Sequence, residues 1–301
     1  MRFLALVLCF SFCIPACSPP QEVLIPDNTI YPYEEVSTLA IEHFVHRAFI
    51  DLQGREPLQS ELSRYTQYLR QQALAPAAMQ AFLSDLQSQI LSPDGEAFQE
   101  AYFRRLYALA KGRLLDGVTE EEIAFKIEQH QRDWEKDSLN RDEVGMAQNE
   151  AIVERLLLLR QSWIAFQHDS ISVNEFHARV VHNVFFDQIN ANTVNFIRAC
   201  YDQLFLRMPT QEEMDRAYPV IEYGKAAYIF DKTVSNKTDF LQALVHSREF
   251  YEGQCRWVFR AQIGREAETS EIIPLYEAFE ASGDFPALQR SIMLYSDYTR
   301  F

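Results

Sequence analysis

The chain has 301 residues, a formal net charge of −15, 48% hydrophobic residues and only 9 glycines. Such an acidic balance argues against nucleic-acid binding, which needs a cationic footprint, and against electrostatic docking of the body on anionic lipid. The residues beyond 35 suffice for a sizeable core, as one domain or two closely packed ones.

Met1-Arg2 gives a short positive start, and Phe3 to Ile14 is an apolar run of signal-peptide length, too short to span a bilayer. The tetrapeptide Ile14-Pro15-Ala16-Cys17 resembles the bacterial lipobox, with Pro15 departing from the usual small residue. The resemblance implies a signal peptide over residues 1–16, cleavage before Cys17 and acyl chains on Cys17. A non-lipidated secretory signal cut nearby is the alternative. Several acyl chains on one residue anchor durably where one would be marginal. Ser18 in place of aspartate implies the outer membrane, with the body facing the periplasm or the cell surface. Residues 17–35 carry four prolines and no helical period, which reads as a lipidated tether. Tyr31-Pro32-Tyr33 offers two aromatics within it.

Apolar residues at steps of three and four predict helices over Val36–Leu52, Gln59–Gln71 and Ala77–Ile90, the last following a break at Ala75-Pro76. Another helix runs from Glu96 to Arg113. Residues 36–118 thus form two repeat units. Residues 119–190 read as a helical insert with two longer helices, Glu120–Trp134 and Arg141–Gln167. Four consecutive leucines, Leu156 to Leu159, predict burial over much of the second one's surface. Thr119 with Glu122, and Ser172 with Glu175, are capping boxes, and the latter opens a helix through Phe186. Asn190 to Thr193 turns the chain into units three and four, residues 191–301. Gly224 and Val234–Thr238 read as a loop. No alternating run predicts a sheet, and Ala226–Phe230 is the piece closest to a strand.

The units share one grammar. Arg55, Arg207 and Arg265 each have an aromatic six residues before (Phe49, Tyr201, Phe259) and a glutamate six residues after (Glu61, Glu213, Glu271). Position two after the arginine is Pro57, Pro209 or Ala267. Pro209 ends one helix, Thr210 caps the next, and the charges suit both helix ends. This predicts a charge-assisted clamp across each helix-turn-helix corner, with ordinary helix-end charge placement as the alternative; either is structural rather than catalytic because it repeats. Arg113 fits in part, with Tyr107 six before and its glutamate displaced to Glu122. Ser247-Arg248-Glu249-Phe250 and Ser296-Asp297-Tyr298 repeat as well, and Ser92-Pro93-Asp94 is a looser copy. The pattern resembles the Gly-Arg-x-Pro-Thr-x-x-Glu-Leu helical modules of secreted bacterial proteins and, distantly, phycobilisome-linker-like domains. The resemblance covers about half of the chain, implies a helical interaction module, and brings no catalytic residue. The fold class is all-α, an irregular array of helical hairpins in about four divergent units with an insert.

Cys200 and Cys255 are the cysteines left after the signal and Cys17. Buried thiols or a disulfide between units three and four are both compatible with their spacing. His43 and His46 share a helix face beside Glu42, but nothing completes a metal site. His177 and His182 read as core or surface histidines. No phosphate loop, zinc-protease motif, nucleophile elbow or haem-attachment motif occurs, so no catalytic residue and no cofactor are expected. Trp134, Tyr223 and Tyr228 are candidate ligand-contacting aromatics. The expected function is a lipid-anchored scaffold or adaptor of the bacterial envelope, docking another envelope protein. The alternatives are a glycan- or peptide-binding lipoprotein and, last, an all-helical enzyme.

Overall fold

The computed structural model describes residues 36–91 and 97–301. The signal peptide, Cys17, the tether with Tyr31 and Tyr33, and Ser92-Pro93-Asp94 lie outside the described residues. The chain divides into Met1–Ser37 and Thr38–Phe301. The second unit is an all-α fold of helical hairpins.

Three stretches follow one plan, in which a helix packs on the helix beyond its corner, then on a third helix, and then on the start of the next module. In the first, α1 (Thr38–Gln53) turns into α2 (Gln59–Gln71), and α3 (Pro76–Ser88) leads to α4 (Phe98–Leu114). The insert follows as α5 (Glu120–Asn140), α6 (Glu143–Gln167), α7 (Val173–Val181) and α8 (Val184–Ile189). The second module is α9 (Thr193–Phe205), α10 (Gln211–Tyr223) and α11 (Lys237–Val245), ending on α12 (Arg248–Ile263). The third reuses α12 as its first helix and continues through α13 (Thr269–Ser282), α14 (Phe285–Met293) and the short α15 (Ser296–Thr299).

Aromatics fill the core of each module. Around α1, the rings of Phe44, Phe49, Tyr65, Phe82 and Phe98 meet at centroid distances of 4.7 to 6.5 Å, the range of favourable edge and tilted contacts. The first and third modules are tied where α3 and α4 meet α14. There Tyr102 donates to Gln289 Oε1 at 2.5 Å and Gln87 Nε2 donates to the Pro286 carbonyl. Gly253 lets α12 cross the end of α9: a Cβ there would stand 2.3 Å from the Leu204 carbonyl oxygen and 2.8 Å from Phe205 Cα. A side chain at this crossing would force the two helices apart.

Four sequence expectations need correction. A two-stranded antiparallel hairpin, β1 (Ala227–Ile229) with β2 (Lys232–Val234), stands where a loop was expected. Its two-residue turn is Phe230-Asp231, both at positive φ (47° and 58°), without the Asn-Gly signal such turns usually carry. The Phe230 ring docks 5.4 Å from Phe205 and 6.2 Å from Tyr201, which offsets the backbone cost. The helix expected over Ser172–Phe186 breaks in two, because Asn183 caps α8 by accepting from the Phe185 and Phe186 amides. The helix α5 continues past Trp134 to Asn140, its left-handed C-cap falling on Arg141. The leucine run in α6 buries one face only: Leu156 and Leu159 are enclosed, whereas Leu157 is 38% exposed.

Candidate functional site

The corners are built alike, down to individual atoms. Each starting helix ends on a left-handed residue: Gly54 (φ 71°), Leu206 (φ 59°) or Gly264 (φ 87°). Glycine tolerates that conformation freely, and leucine does so at a cost of roughly 1 kcal/mol. The next residue is the arginine. Arg55 donates to both Glu61 oxygens at 2.7 and 2.8 Å, Arg207 to Glu213 at 2.8 and 2.6 Å, and Arg265 to Glu271 at 2.8 and 2.7 Å. One guanidinium nitrogen of each also donates to the carbonyl of its own following residue, at 3.0 to 3.2 Å. Each glutamate reaches back to accept from the backbone amide at the start of its helix: Leu58, Thr210 or Glu268, at 2.7 to 2.8 Å. Each guanidinium carbon sits 5.0 to 5.2 Å from the ring six residues upstream. The aromatic, arginine, glutamate and helix start are thus one unit with two parallel charge-assisted bonds.

Among the described residues, two corners also reach the fourth helix of the plan, α12 or α15. Arg207 Nε donates to Glu249 at 2.9 Å and Arg265 Nε to Asp297 at 2.9 Å. The acid in each case lies in the Ser-Arg-Glu-Phe or Ser-Asp-Tyr stretch that opens α12 or α15. Burial grades the three clamps. The Glu61 side chain is 1% exposed, Glu271 18% and Glu213 24%. The hydrogen bonds from Arg265, set against a smaller desolvation cost, hold the Glu271 carboxyl down at about 2.

Arg113 builds no such corner. Glu122 accepts from the Thr119 amide at 2.8 Å, so the capping half of the motif is present. The arginine instead crosses to the second module. There it donates to the Gln203 carbonyl and to Gln254 Oε1, and its guanidinium lies 4.6 Å over the Trp257 ring. Burial lowers it to about 9. Beside it, His177 is enclosed, its Nδ1 2.8 Å from the Val173 carbonyl, and burial depresses it to about 4. Sequence spacing gave Arg113 its corner assignment; the long-range partners Gln203 and Gln254 carry no local signal.

The insert is different in kind. From residue 128 on α5 to residue 155 on α6, no residue is buried. The seam between the two helices is apolar at its base, with Ile123, Ile127, Leu156 and Leu159, and polar toward its tip. There His130 Nδ1 meets Asn149 Oδ1 at 2.7 Å, and Asn149 Nδ2 donates to Asp137 at 2.9 Å. Gly145 makes room for the Asp137 carboxylate, which a Cβ would meet at 2.4 Å. A helical hairpin about 30 Å long, at 1.5 Å per residue over α5, therefore forms an arm held at its base. Its outer surface shows Phe125 (61% exposed), Leu139 (86%) and Val144 (67%).

The three candidate aromatics have different surroundings. Trp134, 37% exposed, lines a groove of about 370 Å³ on the arm with Gln131, Asn149 and Val153. Tyr223 meets the Tyr218 ring at 6.0 Å with Lys225 above it. Tyr228 faces solvent on β1 and bonds Asp231 weakly at 3.5 Å. Cys200 and Cys255 are separate buried thiols, and burial pushes Cys255 up to about 12. His43 and His46 line a groove with Glu42, Arg47 and Tyr298, and no three potential metal ligands cluster among the described residues. No described helix is long and apolar enough to cross a membrane.

Fold and site together define an all-α protein of clamped helical corners carrying one helical-hairpin arm. No family model matches the chain, and no curated protein or solved structure matches it.

Proposed function

We propose that the protein is a lipid-anchored scaffold of the bacterial cell envelope, and that its arm docks another envelope protein. The observation that carries this reading is the α5–α6 hairpin. It keeps its outer half unburied while displaying Leu139 and Val144, residues that a monomer gains nothing by exposing. Acidic residues outnumber basic ones along the same hairpin, so the fitting partner presents an apolar patch rimmed by lysine or arginine. The clamped modules hold the arm's base rigid, as helical arrays do for an extended binding surface. The lipobox-like Cys17 supplies the anchor, with the outer membrane as its address.

The test is affinity capture with crosslinking from membranes, using the full chain and a Leu139→Ser/Val144→Ser double variant. A stoichiometric partner that is retained by the first and lost by the second supports the reading. Equal capture by both sinks the arm as the docking element. Globomycin sensitivity of processing, together with release of a Cys17→Ala variant from membranes, tests the anchor; an unchanged membrane fraction would remove it.

A further inference from the structure

A groove of about 640 Å³ lies at the base of the arm, away from its tip. Its walls are two helix stripes. Arg104, Tyr107, Ala108 and Lys111 come from α4, and Leu157, Arg160, Gln161 and Ile164 come from α6, each set at the three- and four-residue steps of one helix face. Glu120, the first residue of α5, closes one end.

Its charge is inverted relative to the molecule. Arg104, Lys111 and Arg160 face a single lining carboxylate, in a chain of net charge −15. Two of these cations already share that carboxylate: Lys111 Nζ lies 2.6 Å from Glu120 Oε1, and Arg160 Nε lies 3.7 Å from Oε2. One cation per oxygen is the arrangement a planar carboxylate takes. Beside them stands a second feature that points to a ligand. The Tyr107 side chain is enclosed, at 4% exposure, and its hydroxyl makes no well-formed hydrogen bond, only a loose contact with the Glu120 carboxylate. A fully unpaired enclosed hydroxyl costs on the order of 1–3 kcal/mol; a ligand acceptor better placed than Glu120 would recover part of that. Burial, the Glu120 charge and the contact with its carboxylate all push this phenol up, so it remains a donor. Apart from Gln161, the rest of the lining is apolar, with Ala108, Leu157 and Ile164 flanked by Trp163.

We propose that this groove binds the C-terminal end of a peptide. The free carboxylate replaces that of Glu120 between Lys111 and Arg160 and accepts from the Tyr107 hydroxyl. The last side chain, an apolar one, lies against Leu157, Ile164 and Trp163. Glu120 acts as a built-in plug. Its side chain is 47% exposed, so it can swing to solvent while staying at the positive end of α5, where its charge is still favoured. The inference goes beyond the scaffold reading and does not depend on it.

Calorimetric titration of the detergent-solubilised full chain tests it, with three probes: acetyl-Gly-Ala-Leu as free acid, the same peptide as C-terminal amide, and octanoate. The free acid should bind about tenfold tighter than the amide, the loss expected for one charge-assisted contact. Tyr107→Phe, which keeps the ring, and Lys111→Gln should each weaken the acid by about tenfold. Glu120→Gln should tighten it, a gain that loss of a merely structural ion pair would not produce. Equal binding of acid and amide, no binding of either, or weaker binding by Glu120→Gln overturns the proposal. Preference for octanoate over the peptide acid overturns the peptide as occupant. Thermal melts of each variant identify any that fail to fold, and the acid–amide comparison on the unsubstituted chain decides independently of them.

Discussion

The corner modules and the α5–α6 arm use the same raw material, amphipathic helices rich in charge, to opposite ends. In the modules the core aromatics are enclosed, and the arginine of each corner is fixed by two parallel bonds to a glutamate. In the outer half of the arm Leu139 and Val144 stand outside and polar residues line the seam. His130, Asn149 and Asp137 occupy positions where Ile123, Ile127, Leu156 and Leu159 sit nearer the base. A polar seam gives register and little cohesion, whereas a clamped aromatic corner gives rigidity. The contrast teaches that stability resides in the repeats and that the arm is free to serve another purpose.

The largest effect should come from the most enclosed clamp. Glu61→Gln leaves the Arg55 guanidinium beside a neutral amide and should cost about 3 kcal/mol in urea unfolding, as breaking a buried ion pair does. Glu271→Gln, in the exposed third corner, should cost clearly less, because water screens that pair. Equal losses at the two sites would mean that burial does not grade the corners.

The body should also lose stability as pH falls. His177 is held neutral, its value depressed to about 4 by burial, while the unfolded chain takes up that proton near 6.5. The contribution is fully present above about 6.5 and is lost as pH falls through 4. His177→Gln should flatten that part of the stability profile, measured by thermal melts at stepped pH. An unaltered profile would exclude His177 as its source.

Two glycines sharpen the comparison further. Gly253→Ala drives a Cβ into backbone, the Leu204 carbonyl and Phe205 Cα, and should cost about 2 kcal/mol as overpacking does. Gly145→Ala meets only the Asp137 and Asp142 side chains, which can turn aside, so the arm variant should lose less. The reverse order, read from melting temperatures, would make the arm the tighter structure.

The smallest change in stability belongs to the arm's exposed apolar residues. Leu139→Ser should shift unfolding by no more than about 0.5 kcal/mol, as for other surface substitutions. A larger loss would show that Leu139 packs against something within the chain.

Much of this architecture was legible in the sequence, because helix stripes and caps are local signals. The span of α2 matches its expected bounds residue for residue, and the ends of α1, α3, α4 and α6 fall within two residues. The aromatic, arginine and glutamate at fixed spacing define each corner without any long-range information. What escaped depended on distant contacts or on unusual turn residues. The β1–β2 turn uses Phe-Asp, and its reason is the Phe205 and Tyr201 rings more than twenty residues earlier. The break at Asn183 lies inside a continuing apolar stripe, which hides the cap. The one-sided burial of Leu156 to Leu159 follows from a single partner, α5, along one face. The groove between α4 and α6 was equally invisible, since its two stripes lie some fifty residues apart and only the fold sets them side by side.

The central claim is that the arm, and not the clamped body, meets the partner. Site-specific photo-crosslinking in native membranes tests it directly, with a diazirine residue at Leu139 on the arm or at Met208, 61% exposed on a corner. The account predicts one discrete protein adduct from position 139 and none from 208. An adduct from 208 alone, or none from either, would contradict it.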